Sequence, residues 1–513
     1  MPRAAHALRS ALQDYLVGEG AARLRKLRDP QDAGRNESRG RGLWLVSESA
    51  QQALQDARGN GELTDEEAHW LARHIIVVRH SLQAHDADGQ TREALRQASL
   101  GSGIDLDLPQ LLARMASTND ESRRASCARE LDAALAPIAL LHVRAHAHAE
   151  AHLLVQRKCP TDTASNASQN AEPVAPSRFL IVSPTSPEVL SAGKRDFPEA
   201  TWMPAAAAFL AETEAAADDA VRFAVRGLRT GNLIDWPVLL RGLRAPDLDS
   251  PSGARDRWRR AAAWLKVLGF ERELNARVRT EPARDAASPL PVSVLLDVPR
   301  DARVAQSAID YGVASDLFAA EGVARALGNA LVLPGMPVEL RWPVGANPAG
   351  VLGALAQQLW GERPHMRRVQ GMTESEAERV GRVAGTIALL SARTWIALAL
   401  VSLDADETLG ARGEAMAEAL SRALCCEVTP AVAGLLGANR VLCRVRAQHA
   451  LGGLALHAAL RERCDDDWYR NAESSDFLRN GCGRGNLLSP AAWLEELGGS
   501  LLAAGRRGVE LVT

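Results

Sequence analysis

Apolar residues recur at helical spacing along most of this chain, and polar residues fill the positions between them. This spacing is typical of amphipathic helices that bury one face in a core. We predict helices throughout residues 1–157, where Thr64-Asp-Glu-Glu67 forms a capping box at a helix start. Residues 205–230 and 258–268 predict two further helices, and the abundant Ala, Arg and Leu favour the same structure.

Two short segments interrupt the helical pattern. Val278–Glu281 and Val292–Val298 are rich in β-branched residues and are bounded by proline, which predicts strands. Beyond Trp360 the pattern is helical to the end of the sequence. A second capping box at Thr373-Glu-Ser-Glu376 and an N-cap with proline at Ser489-Pro490 mark helix starts there. The predicted fold class is therefore mainly α with a small β-sheet.

One segment lacks the composition needed to bury a core. Residues 158–177 are small and polar and include prolines, which predicts a flexible loop. We therefore divide the chain into an N-terminal helical region at residues 1–157, this loop, and a larger helical region with the small sheet at residues 178–513.

Charge and composition limit the possible binding partners and the expected cellular compartment. The 513 residues carry a net charge of −3, so no general electrostatic attraction to nucleic acid or membrane surfaces is expected. No run of 18 apolar residues indicates a membrane span, and the first residues lack the apolar core of a secretory signal. The seven cysteines lack disulfide-like spacing. We therefore expect a cytoplasmic protein. Residues 255–266 are basic and aromatic. They could form a solvated helix face, and the alternative is that they bind nucleic acid.

The order of elements in the second half resembles a known family. The predicted strands are followed by a helix at residues 317–331, a Leu-Pro…Arg-Trp loop at 333–342, a Gly-Asn element at 345–353 and Asp-Trp-Tyr-Arg-Asn at 467–471. This order is similar to that of the thimet oligopeptidase and oligoendopeptidase F family of gluzincin metallopeptidases. The resemblance implies a zincin-like helical bowl, with the small sheet beside the helix that carries the zinc motif.

The metal-binding motif of that family is not present at the matching positions. The first helix of the family carries His-Glu-x-x-His, which falls here on Glu321, Gly322 and Arg325, and the third zinc ligand, a glutamate, falls on Gly350. A catalytic zinc requires three protein ligands, whereas arginine stays protonated and glycine offers no side-chain donor. The resemblance therefore implies a degenerate member with no catalytic residue, no metal and no other cofactor.

The replacement residues suggest a structural substitute for the metal. Glu321 and Arg325 have i,i+4 spacing with the acid first, which is the favourable order for a helical ion pair. We predict that the two side chains pair in the place of the metal. The alternative is that both are ordinary surface charges.

A second set of family positions also differs. The resemblance implies that Tyr and His donors from a C-terminal helix would stabilise the tetrahedral intermediate, and the matching positions here are Leu442 and Arg446. Because one such donor is typically worth about 10²–10³ in rate, their replacement also argues against peptidase activity.

We therefore predict a catalytically inactive, peptidase-like protein that acts by binding a protein or peptide, as a scaffold or a subunit. An active relative of the family is one candidate partner. The alternative is an active metal-dependent hydrolase with a non-standard site, which Glu321, His365, His449 and His457 would have to form together.

Overall fold

The computed structural model of the chain describes residues 4–28, 38–75, 77–78, 81–82, 120–130, 132–133, 199–228, 234–245, 256–282, 292–298, 300–306, 311–343, 345–402, 409–437 and 440–513. The predicted loop at residues 158–177 lies outside these ranges. The division of the chain on either side of that loop therefore stays a prediction.

Helices make up the described N-terminal part of the chain. They are α1 (Ala4–Arg28), α2 (Ser38–Leu45) and α3 (Glu48–Gly59), and residues 65–75 and 121–130 are also helical. The predicted capping box is present. The Thr64 backbone N–H donates to Glu67 Oε2 at 2.8 Å, and the Glu67 N–H donates to Thr64 Oγ1 at 3.2 Å.

Five helices precede the sheet in the next part of the described chain. They are α4 (Glu199–Glu212), α5 (Glu214–Ala224), α6 (Trp236–Leu243), α7 (Arg257–Val267) and α8 (Glu271–Arg277). The helix predicted at residues 258–268 is thus confirmed as α7. The single helix predicted at residues 205–230 was wrong, because the chain breaks at Thr213, whose hydroxyl donates to the Phe209 carbonyl and accepts from Arg393.

A three-stranded mixed sheet follows, with strands β1 (Val278–Pro282), β2 (Val292–Asp297) and β3 (Asp301–Gln306) in the order β1-β3-β2. β3 pairs parallel with β1 and antiparallel with β2. The first two strands were predicted. The third was not, because Asp301-Ala-Arg-Val-Ala-Gln306 contains a single β-branched residue.

The rest of the described chain is helical. The next helices are α9 (Val313–Ala330), α10 (Val338–Arg341), α11 (Pro348–Leu359), α12 (Arg363–Arg368), α13 (Glu374–Val401), α14 (Leu409–Leu424), α15 (Pro430–Gly437) and α16 (Arg440–Cys464). A 3₁₀ turn (Trp468–Arg470), α17 (Ala472–Gly483), a second 3₁₀ turn (Gly485–Leu487), α18 (Pro490–Glu495) and α19 (Ala503–Glu510) complete it. The capping box at Thr373 and the N-cap at Ser489 are both present.

Helix α9 packs against the sheet and against α7, α11 and α13. Small residues allow the helices to approach closely. A Cβ atom at Gly328 of α9 would lie 2.7 Å from the Ala349 Cα of α11, and one at Gly453 of α16 would lie 2.8 Å from the Ala354 Cβ of α11. α11 is therefore held between α9 and α16 at close to backbone contact.

Helix α13 is long and apolar because it crosses this core. Among the described residues it is the one helix whose length and composition would suit a membrane span, but 78% of its most apolar window is buried inside the protein. Its buried Arg393 has hydrogen-bond partners from two other helices. Arg393 donates to the Leu210 carbonyl at 2.8 Å and to the Ala423 carbonyl at 2.7 Å, in the last turns of α4 and α14. Carbonyls in a last turn lack helical partners and carry the negative end of the helix dipole.

An ion pair attaches α1 to the loop that follows α9. Arg9 Nε donates to Glu339 Oε1 of α10 at 2.8 Å, and Arg9 Nη2 donates to Glu67 Oε1 at 2.7 Å. The Glu339 carbonyl also lies 3.1 Å from Nε2 of the buried His74. These contacts hold α1 against the second half of the chain, so that its C-terminal part reaches the cavity described below.

The C-terminal residues pack on α13 at Gly385. A Cβ atom there would overlap the Leu511 carbonyl oxygen. We expect Gly385→Ala to lower the free energy of unfolding by about 1–3 kcal/mol, the usual cost of overpacking. Gly413→Ala in α14 is the matched control, since the nearest atom to its added methyl is 3.9 Å away. Chemical denaturation should show that control to be neutral or stabilising, and equal losses in both variants would contradict the close packing.

Candidate functional site

A cavity of about 500 Å³ lies between α9, α11, α13 and α16. Its walls include the positions that the sequence matches to the zinc motif, namely Glu321, Gly322 and Arg325. Leu442 and Arg446 of α16, the two positions matched to the oxyanion donors, face the same cavity. The predicted site residues are thus brought together, although they are up to 125 positions apart in the sequence.

Glu321 is the central polar residue of this cavity. Its Oε1 accepts from Arg325 Nη2 and from Arg446 Nη1, and its Oε2 accepts from Gln357 Nε2 at 2.7 Å. The predicted ion pair between Glu321 and Arg325 is therefore present, and the surface-charge alternative was wrong. The contribution of Arg446 was not foreseen, because it comes from a helix distant in sequence.

The electrostatics of the cluster favour an ionised Glu321. Burial opposes ionisation, but the guanidiniums of Arg325 and Arg446 outweigh it and hold the pKa of the Glu321 carboxyl below its usual value. Burial lowers the pKa of Arg325 to about 10 despite the attraction of Glu321, and repulsion from Arg446 acts in the same direction. Glu321 and Arg325 are therefore both charged at neutral pH.

His449 occupies the space that a side chain at position 350 would need. A Cβ atom at Gly350 would overlap the imidazole ring of His449. The Asn347 backbone N–H donates to His449 Nε2 at 3.3 Å, and Asn347 Oδ1 caps α11 by accepting from the Gly350 N–H at 2.9 Å. Because Nε2 accepts a hydrogen bond, the ring is neutral. Burial, with Arg325 and Arg446 nearby, lowers the pKa of His449 well below its usual value.

The two α16 positions differ in their surroundings. Leu442 is 43% exposed at the cavity wall. The Arg446 guanidinium lies 5.9 Å from the centroid of the Trp395 ring, within the range of a cation–π contact. Trp395 and Glu321 therefore fix the orientation of Arg446 from two sides.

The non-standard site considered from the sequence is not assembled. Of its four residues, Glu321 and His449 line the cavity. His457 Nε2 instead lies 2.7 Å from Glu362 Oε1, and the His365 ring packs edge-on against Tyr469 at 5.5 Å. Both of these histidines belong to the buried core rather than to the cavity wall.

Part of the basic helix α7 is buried inside the protein. Arg257 is buried and forms an ion pair with Asp316 of α9, with 3.2 Å between Nε and Oδ1. Trp264 is fully buried. Arg259 is exposed and lies 3.9 Å from Asp256. Arg255 lies outside the described residues.

The donor groups of the cavity do not fit a catalytic zinc. In the part of the chain that the structure describes, no group of three or more His, Cys, Asp or Glu is placed to hold a metal ion. Both oxygens of Glu321 and the Nε2 of His449 accept hydrogen bonds from protein groups. A catalytic zinc takes three protein ligands and a water, which these residues do not supply.

Solved peptidase structures share this architecture. A Bacillus anthracis protein described as oligoendopeptidase F aligns with a TM-score of 0.59 and 11% identity over 97% of this chain and 88% of its own. Pz peptidase A aligns with a TM-score of 0.58 and 9% identity over 96% and 90% of the two chains. A Pyrococcus furiosus carboxypeptidase aligns with a TM-score of 0.53 and 12% identity over 99% of both.

No protein-family model matches the chain, and no curated protein matches it. The structural likeness at this level of identity shows the fold. The chain has the fold of the gluzincin peptidases, which confirms the predicted mainly α, zincin-like architecture with a small sheet beside α9.

The contact between Gly350 and His449 can be tested by a double-mutant cycle. Gly350→Ala should lower the free energy of unfolding by about 1–3 kcal/mol, because the added methyl overlaps the imidazole. In a His449→Ala background the same change should cost little, since the ring is gone. Urea denaturation of the four proteins gives the coupling energy. Equal costs in both backgrounds would show that His449 does not occupy this space.

The Glu321 cluster predicts a specific pH dependence of stability. Glu321→Gln should cost about 3 kcal/mol at pH 7, because it leaves two guanidiniums without their carboxylate. The pKa of Glu321 is below its unfolded value of 4.5, so its full contribution is present above pH 4.5 and is lost as the pH falls further. Denaturation of wild type and variant across this range measures the difference.

The control for this experiment is Glu378→Gln, since Glu378 is 59% exposed and lies 3.5 Å from Arg363 at the surface. An exposed pair of this kind contributes little, so this variant should follow the wild type at every pH. A Glu321→Gln effect that does not shrink in acid would contradict an ionised Glu321 in the cluster.

Proposed function

We propose that this protein binds a protein or peptide segment in the cavity between α9, α11, α13 and α16 and does not hydrolyse it. The observation that carries the proposal is the Glu321 cluster. A carboxylate shared by Arg325 and Arg446 lies where the family resemblance expects the zinc motif. In this view the chain is a gluzincin-fold protein whose metal motif has been replaced by an ion-pair network.

The chemistry of the neighbouring positions supports the absence of hydrolysis. Gly322 stands where the resemblance expects the general base, and it has no group that can accept a proton. Leu442 stands at a position matched to an oxyanion donor, and its side chain cannot donate a hydrogen bond. Metal, base and one donor are therefore replaced together.

The character of the cavity favours binding over a purely scaffolding role. A protein that no longer binds in its cavity could fill it with apolar side chains. Here about 500 Å³ stays open, which is in the range of ligand sites. Its wall combines the apolar Phe318 and Trp395 with the polar Gln357 and Gln358. Apolar walls with a few polar groups suit an extended peptide, whose backbone amides need hydrogen-bond partners.

The test combines metal analysis, hydrolysis and binding on the full chain. We expect protein purified with zinc in the medium to hold far less than one zinc per chain. A mixed peptide library incubated with it should remain intact by mass spectrometry, and peptides retained by the immobilised protein should be recoverable. One zinc per chain, together with cleavage that a chelator abolishes, would overturn the proposal in favour of an active hydrolase.

A blocked cavity supplies the matched variant for the binding measurement. Ser391→Trp in α13 introduces a large side chain at the cavity wall without altering the Glu321 cluster. It should abolish peptide retention. Ala215→Trp, at an exposed position of α5 that does not line the cavity, should retain peptides like the wild type. Equal retention by both variants would place peptide binding elsewhere on the protein.

A further inference from the structure

The cavity carries an excess of positive charge. Arg23 of α1, Arg325 of α9 and Arg446 of α16 all line it, and among the described residues of its lining Glu321 is the one acidic residue. Because His449 is neutral, these three guanidiniums and one carboxylate leave a net excess of two positive charges. Charge at a cavity wall acts more strongly than at an open surface, since protein atoms replace part of the water.

Glu321 supplies a single negative charge, which Arg325 and Arg446 already share. One oxygen accepts from two guanidiniums, and the other accepts from the Gln357 amide. Arg325 is paired directly along its own helix. Arg446 uses one of its five N–H donors on Glu321, and its side chain remains 30% exposed. Arg446 can therefore make further hydrogen bonds to a group in the cavity.

Arg23 has no acidic partner within the described part of the chain. It is held at the cavity because the Arg9–Glu339 pair attaches α1 to α10. Its side chain is exposed toward the cavity while protein atoms surround it. That desolvation, together with repulsion from Arg446, lowers the pKa of Arg23. Its exposed guanidinium is therefore open to an anion that enters the cavity.

We propose that Arg23 and Arg446 bind a carboxylate, presented by a peptide as an acidic side chain or as its C-terminal carboxylate. This inference rests on the proposed peptide-binding function and names the group that the cavity selects. Arginine forms paired N–H···O bonds with a carboxylate, which gives geometric selectivity as well as affinity. Trp395 and Glu321 hold Arg446 in a fixed orientation for this contact.

The first experiment uses short, N-acetylated alanine-based peptides without a dye and isothermal titration calorimetry on the full chain. One peptide has an internal Glu and an amidated C terminus, one has Gln in its place, and one has Gln with a free C-terminal carboxylate. We expect loss of the Glu carboxylate to weaken binding about tenfold or more, as for other close charge pairs. The free-carboxylate peptide shows which source of the carboxylate the site prefers. Added salt should weaken the binding of the preferred peptide, because it screens the charges.

The variant Arg23→Gln separates recognition from folding. Because Arg23 is repelled by Arg446 and has no acidic partner in the described residues, its removal should leave the melting temperature unchanged or raise it. The same variant should lose the preference for carboxylate peptides. Arg25→Gln is the matched control on the same helix, since Arg25 is exposed and does not line the cavity, and it should keep the preference.

Free succinate tests the anion site without a peptide. We expect succinate to raise the melting temperature of the wild type and of Arg25→Gln, but not of Arg23→Gln. No succinate effect, together with equal binding of Glu and Gln peptides, would overturn the carboxylate site and leave peptide binding intact. A succinate effect that needs Arg23, without binding of any peptide, would support the anion site and refute the proposed function.

Discussion

The close approach of α9, α11 and α16 is the constraint on which the rest of this structure depends. Gly328 and Gly453 lie almost in backbone contact with α11, so these helices have little freedom to separate. This packing brings Glu321 on one helix within reach of Arg446 on another. It also leaves a gap at Gly350 that the ring of His449 fills. A larger side chain at any of these contacts would change the position of every charge around the cavity.

The apolar packing of the helices and the polar groups of the cavity follow different constraints in this protein. The helices and the small sheet follow the gluzincin peptidase architecture at about one identical residue in nine, because apolar packing tolerates substitution when volume and pattern are kept. The cavity tolerates substitution less than the apolar core does, since its polar groups are held by hydrogen bonds with specific partners. An ion cluster replaced by apolar residues would often be equally stable or more stable. The presence of charge in an open cavity is therefore consistent with the proposed recognition of a bound segment.

The sequence predicted those features whose cause is local. Helix starts at Thr64 and Thr373 and the pair of Glu321 with Arg325 depend on residues three or four positions apart. The break at Thr213 was missed, because it depends on Arg393, which is 180 positions away. The position of Arg23 at the cavity was likewise not predictable, because tertiary packing brings α1 there. His449 was placed with Glu321 only as part of the alternative metal site. The Asn-Pro sequence at Asn347 is a second local signal near the site, as it marks the start of α11.

The hydrogen bonds of Arg393 affect how the core unfolds locally. Its buried charge has no carboxylate partner in the described chain and is accommodated by carbonyls at the ends of α4 and α14 and by the Thr213 hydroxyl. If either helix end moved away, the guanidinium would lose acceptors inside an apolar environment, which is costly. We therefore expect α4, α13 and α14 to unfold locally as one cooperative unit, so that their amide protons exchange with solvent together rather than helix by helix.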